Sequence, residues 1–97
     1  AHLTVTEPRV PSEKIRAFHK AALSIARNAI DIFSFEERIA NAFLLPVNEA
    51  DRREVESLIQ EFNEKLKEFA SRPREQGDRI YQLVLNFSPT GGKLDEK

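Results

Sequence analysis

Two runs of apolar residues at intervals of three and four constrain the fold more than any other feature of the sequence. Such spacing places apolar side chains on one side of an α-helix. We therefore predict two long amphipathic helices, each packed on one side only. The first run is Ile15, Phe18, Ala22, Ile25, Ala26, Ala29, Ile30 and Phe33. The second run is Val55, Leu58, Ile59, Phe62, Leu66 and Phe69.

Polar residues and prolines indicate where these helices begin and end. Ser12 and Asn48 stand just before the two runs, where their side chains can accept hydrogen bonds from unpaired helix amides. Pro73 follows the second run and ends that helix, since proline cannot donate a backbone hydrogen bond. Ser34 precedes Glu37 by three residues, the spacing of a capping box. We expect a short helical turn there, between the two long helices.

Two other segments have the composition and alternation of β-strands. Residues 39–47 are mainly apolar, with Pro46 indicating a sheet edge or the end of the strand. In residues 80–87 successive side chains would point to two opposite faces. One face consists of Ile80, Gln82, Val84 and Asn86, and the remaining residues make the other face. We predict that this other face packs on the two helices. It consists of Tyr81, Leu83, Leu85 and Phe87.

The predicted order of helix, strand, helix and strand defines an α+β fold, in which two long amphipathic helices pack on a small sheet. A strand, a helix and a second strand form a right-handed crossover if the strands are parallel neighbours. Two strands alone make a marginal sheet, and the face with Ile80 and Val84 would stay uncovered. A second copy of the chain can complete the sheet, so we expect a homodimer.

Composition excludes several classes of function. Of the 97 residues, 40% are hydrophobic and 32% charged, as in a globular domain. Fifteen basic and sixteen acidic residues give a net charge of −1, which argues against DNA binding by this segment. Cysteine is absent, and no apolar stretch approaches the ~20 residues of a membrane helix. We expect a cytoplasmic location without membrane contact.

No residues have the spacing of a catalytic, cofactor or metal site. The two histidines, His2 and His19, have no carboxylates at ligand spacing, and the acidic residues lie mainly on solvated helix faces. We therefore expect that the domain is not an enzyme and has no cofactor. The residues that remain as candidates for an interface or ligand contact are Ile80, Tyr81, Gln82, Val84 and His19. For His19 the simpler interpretation is a ring packed at the edge of the first helix's apolar stripe.

Three segments carry a resemblance to a bacterial family. They are Ile15-Arg16-Ala17-Phe18-His19-Lys20, Glu36-Glu37-Arg38-Ile39 and Asp78-Arg79-Ile80-Tyr81-Gln82-Leu83-Val84-Leu85-Asn86-Phe87-Ser88-Pro89-Thr90. The sequence resembles the carboxyl-terminal domain, of unknown function, in an uncharacterised family of transcriptional regulators with a winged-helix-like amino-terminal half. Ser88 and Gly91 depart from the family pattern at the end of the last segment.

The resemblance implies a division of the chain and a role for it. Residues 1–9 would be a linker or exit strand from a missing amino-terminal domain, residues 10–90 a single domain and residues 91–97 a flexible tail. The absence of methionine agrees with a chain cut from a longer protein, although removal of an initiator also explains it. The implied function is a regulatory and dimerisation domain, with DNA contacted only through the missing domain. The alternative is a free-standing protein-interaction module.

Overall fold

The computed structural model describes residues 12–94, which form two long helices joined by a short turn and an irregular connection. Helix α1 spans Glu13–Ile32, a 3-10 turn spans Phe35–Glu37 and helix α2 spans Glu49–Ser71. Residues 12–94 contain no β-strand. This part of the chain is therefore all-α.

The capping residues predicted from the sequence are those that cap the helices. Ser12 Oγ accepts a hydrogen bond from the Ile15 amide at 3.4 Å. Asn48 Oδ1 accepts from the Asp51 amide at 2.8 Å, and the Asp51 carboxylate accepts from the Asn48 amide at 3.2 Å. These bonds satisfy amides that have no partner inside a helix. Helix α2 ends two residues before Pro73, as predicted.

The α+β prediction is wrong, because neither strand-like segment forms a strand. Residues 39–47 and 80–87 have no regular secondary structure. Their apolar side chains include Ile39, Phe43 and Ile80, all of which are exposed. A strand is stable only beside a neighbouring strand, and residues 39–47 and 80–87 do not form a ladder with each other. Without a sheet, the predicted packing of both helices on one is also wrong.

The helices do not form a core with each other. Helices α1 and α2, both within the described residues, share no packing contact. The accessible surface of the chain is 9893 Å², whereas a compact monomer of this mass exposes about 5,700 Å². Its radius of gyration is 16.2 Å, against about 13 Å for a compact domain of this length. The single chain therefore leaves most of its apolar surface in water.

Two predicted segments fall partly or wholly outside the described residues. The linker at 1–9 and the last three residues of the 91–97 tail are not described. Residues 91–94 are exposed, and the flexible tail stays a prediction. Within residues 12–94, no helix is both apolar enough and long enough to cross a bilayer.

Candidate functional site

The apolar face of α1 is partly covered by the chain itself. We call residues 78–87 the C-terminal segment. Gln82 in this segment donates a hydrogen bond from Nε2 to the carbonyl oxygen of Ala22, in the middle of α1, at 3.0 Å. Ala22 is 8% exposed and is the most deeply buried hydrophobic residue in the described part of the chain. The amide of Gln82 thus holds the C-terminal segment against α1.

Arg79 provides a second attachment for the C-terminal segment. Its Nη1 lies 3.0 Å from Glu37 Oε2, and its guanidinium lies 5.9 Å from the centre of the Phe33 ring. A guanidinium at this distance from an aromatic face is attracted by the ring's quadrupole. Arg79 therefore joins the C-terminal segment to the end of α1 and to the turn that follows it.

The Glu37 carboxylate receives hydrogen bonds from two directions. The Arg79 guanidinium and then the Ser34 amide and hydroxyl hold the pKa of Glu37 below its ordinary value. Both Ser34 groups donate to Glu37 Oε1, at 3.1 and 3.0 Å. The predicted capping turn therefore exists, and its carboxylate also anchors the C-terminal segment. The same bond raises the pKa of the Arg79 guanidinium above its ordinary value.

The five candidate contact residues do not form one site. Gln82 contacts α1 directly, and Val84, two residues further along the chain, is half-buried. His19 is half-buried in α1, and its ring meets that of Phe18 edge to face at 6.0 Å. Ile80 and Tyr81 are exposed. Gln82 is thus shown to be a packing contact, while ligand binding by any of the five stays a prediction.

The prediction of which face of residues 80–87 packs on the helices is wrong. We expected Tyr81 and Leu83 to face the helices, but they are 71% and 60% exposed. On the opposite face, Gln82 bonds to α1 and Val84 is half-buried, whereas Ile80 is exposed. The physical reason is that a polar bond to a helix carbonyl, rather than an apolar sheet face, holds this segment in place.

Helix α2 presents part of its apolar face to solvent. Phe62 and Phe69 are 41% and 47% exposed and Leu58 is also exposed, whereas Val55, Ile59 and Leu66 are half-buried. Ion pairs run along the helix surface, joining Lys65 to Glu61 at 3.6 Å. The Arg52 guanidinium pairs with both Glu49 and Glu56, and its bond to Glu49 lowers the pKa of that carboxyl. These pairs support the helix itself and do not cover the exposed part of its apolar face.

Two arginines beyond the end of α2 contact Phe69. The guanidinium carbons of Arg72 and Arg74 lie 5.2 and 4.5 Å from the centre of the Phe69 ring. The contact of these arginines with Phe69 was not predicted from the sequence. Its signal was the basic pair around Pro73, three and five residues after an aromatic residue at the end of a predicted helix.

The best-formed depressions in the described residues are shallow and open. One lies along the charged surface near the end of α2, and another lies beside Asp78, Arg79 and Tyr81. In residues 12–94 no three acidic or histidine side chains are grouped to hold a metal ion. The features best suited to function are therefore the exposed apolar surfaces.

Comparison with known proteins shows the family of the chain. A family model described as a domain of unknown function, DUF4423, matches residues 1–89. The chain therefore belongs to the DUF4423 family. Searches of curated proteins and of solved structures gave no match.

Proposed function

We propose that this domain is the regulatory and dimerisation part of a bacterial transcriptional regulator. It would act in the cytoplasm, without catalysis, and contact DNA only through another part of the protein. The observation that carries the proposal is the surface area of 9893 Å², about 1.7 times that of a compact monomer. Soluble monomers rarely expose large contiguous apolar patches, and such patches are typical of interaction sites.

Association explains the open structure better than ligand binding does. Small-molecule sites are concave and largely enclosed, whereas the depressions near the end of α2 and beside Arg79 are open and shallow. A second copy of the chain would bring the same apolar faces and a two-fold axis. Two-fold symmetry also suits a regulator, because DNA half-sites are commonly related by it.

Charge supports the division of labour between this domain and a separate DNA-binding part. The net charge is −1, and Arg52 near the start of α2 pairs with Glu49 and Glu56. A surface that binds phosphates needs an excess of unpaired basic groups. We expect no complex with short DNA duplexes tighter than about 10⁻⁴ M at physiological salt. A salt-sensitive micromolar complex in a fluorescence titration would contradict this part of the proposal.

The proposal is tested by the mass of the purified chain in solution. We expect sedimentation equilibrium to show a dimer over tens to hundreds of micromolar. A constant mass of 11.1 kDa at all concentrations would refute dimerisation and favour a module that binds a different protein. The regulatory context is tested separately, by whether the parent protein carries a DNA-binding domain before this one.

A further inference from the structure

The apolar face of α2 has the spacing of a helix-pairing seam. We call five residues the α2 seam: Val55, Ile59, Phe62, Leu66 and Phe69. They alternate at intervals of four and three, so they occupy the a and d positions of a heptad over most of a 23-residue helix. This seam has the narrow apolar spacing of a helix-pairing surface. Helix α1 does not pack on it, and in the single chain Val55, Ile59 and Leu66 are half-buried while Phe62 and Phe69 are exposed.

The residues beside the α2 seam are sorted by charge along the helix. Lys65 and Arg72 flank its carboxyl-terminal half, and Asp51 flanks its amino-terminal half, where Glu49 and Glu56 are paired with Arg52. A copy of the same helix running in the opposite direction would place Asp51 of each copy beside Arg72 of the other. This charge pairing favours a second α2, in the antiparallel direction, as the occupant.

A parallel pair of α2 helices would be unfavourable. In register, it would place Arg52, which precedes the seam at an a position, against Arg52 of the second copy. It would also bring Asp51 near Glu56 of the second copy, and like charges repel. In the antiparallel pair, Val55 instead meets Leu66 of the second copy. Asp51 then lies beside Arg72 of the second copy, and symmetry repeats both contacts.

We propose that two copies of this chain associate through an antiparallel pair of α2 helices, with the α2 seam buried between them. The proposal rests on the dimer of the proposed function and specifies its interface. The two-fold axis passes between Gln60 and Glu61. Ile59 packs against Phe62 of the second copy on both sides of this axis.

Spin labels test the direction of the helices. The chain has no cysteine, so Ser57→Cys and Ser71→Cys each introduce one labelling site. Both serines are exposed and lie on the side of α2 opposite the seam. With a rise of 1.5 Å per residue, an antiparallel pair separates the two Ser57 labels by about 10 Å along the axis and the Ser71 labels by about 30 Å. A parallel pair gives equal distances for both variants, and that result would overturn the proposal.

A charge exchange tests the flanking contacts. Asp51→Arg should weaken dimerisation about tenfold, because it would place two positive charges together at each of the two symmetry-related contacts with Arg72. Asp51→Arg also removes the capping bond from the Asn48 amide, which a change at Arg72 cannot restore. Adding Arg72→Asp to the same chain should nevertheless return the dissociation constant to within about threefold, and this recovery isolates the contact between the two copies. Glu64→Arg is the matched control, since it makes the same charge change on the outer side of α2 and should leave dimerisation unchanged.

The outcomes separate this proposal from the proposed function. If the unmodified chain is a monomer throughout, the dimer of the proposed function fails and this interface fails with it. If the chain is a dimer in which Asp51→Arg and Glu64→Arg have equal effects, the dimer stands and the α2 interface is overturned.

Discussion

The two long helices solve the same problem in different ways. Both carry an apolar stripe, but on α1 the chain's own C-terminal segment bonds through Gln82 to the carbonyl of buried Ala22, while Ile25 and Ile30 stay exposed. Helix α2 has ion pairs along its surface and an apolar face without cover from α1. An amphipathic pattern therefore specifies a face to be buried without specifying what buries it. For α1 part of the cover is intramolecular, and for α2 we propose that a second chain completes it.

The largest effect is expected from a charge in the centre of the α2 seam. Phe62→Asp would bury one carboxylate from each chain in the dimer, at a cost of several kcal/mol per charge. We expect a monomer up to hundreds of micromolar by sedimentation equilibrium. Ser57→Asp places the same charge on the outer side of α2 and should leave the dimer intact. If the two variants have equal masses in solution, the α2 seam is not the dimer interface, and the proposed difference between the two helices is lost.

A smaller effect is expected where α1 is covered within the chain. Ala22→Glu inserts a long side chain at the most buried position and should destabilise the protein by about 1–3 kcal/mol through overpacking. The neighbouring Ala21 is exposed, so Ala21→Glu should change stability by less than about 0.5 kcal/mol. Chemical denaturation at fixed protein concentration measures both. Similar losses from the two would show that the C-terminal segment does not cover α1 in solution.

The hydrogen bond from Gln82 is a weaker contributor. Gln82→Ala removes the bond to the Ala22 carbonyl and should cost about 0.5–1.5 kcal/mol of unfolding free energy. Gln76→Ala, in the exposed connection after α2, serves as the control and should cost less than about 0.5 kcal/mol. If the denaturation midpoints of both variants match that of the unmodified chain, Gln82 does not hold the segment.

The smallest effect is electrostatic and appears as a pKa. Arg79→Ala should raise the pKa of the Glu37 carboxyl toward its ordinary value of 4.5, because the largest cause of its depression is removed. Arg38→Ala should raise it less, since Arg38 donates to the Phe33 carbonyl instead. Carboxyl NMR titration measures both values. A Glu37 pKa that stays low without Arg79 would show that the Ser34 bonds alone hold it there.

The depressed pKa of Glu37 also fixes the direction of a pH effect. Because the folded pKa lies below 4.5, this carboxylate contributes stability that is present above that pH. The contribution is lost as the pH falls through the folded pKa. The effect should be small, because Glu37 and Arg79 are both exposed to solvent.

The candidate site was only partly predictable from the sequence. Gln82 was identified as a candidate contact because its amide stands in an otherwise apolar run, and it does contact α1. Its partner is sixty residues away, and no local pattern indicates which carbonyl it reaches. The α2 seam could be found from its spacing alone, whereas the absence of α1 from it could not.

The sequence by itself determined the two helices, their caps and the turn between them. These depend on side chains within four residues of each other, such as Asn48 and Asp51, so local chemistry is sufficient. Only the tertiary structure decided that residues 39–47 and 80–87 form no sheet and that Gln82 faces α1. A strand pattern records which side chains alternate, but pairing depends on a distant segment being available. Here the C-terminal segment bonds to a helix instead.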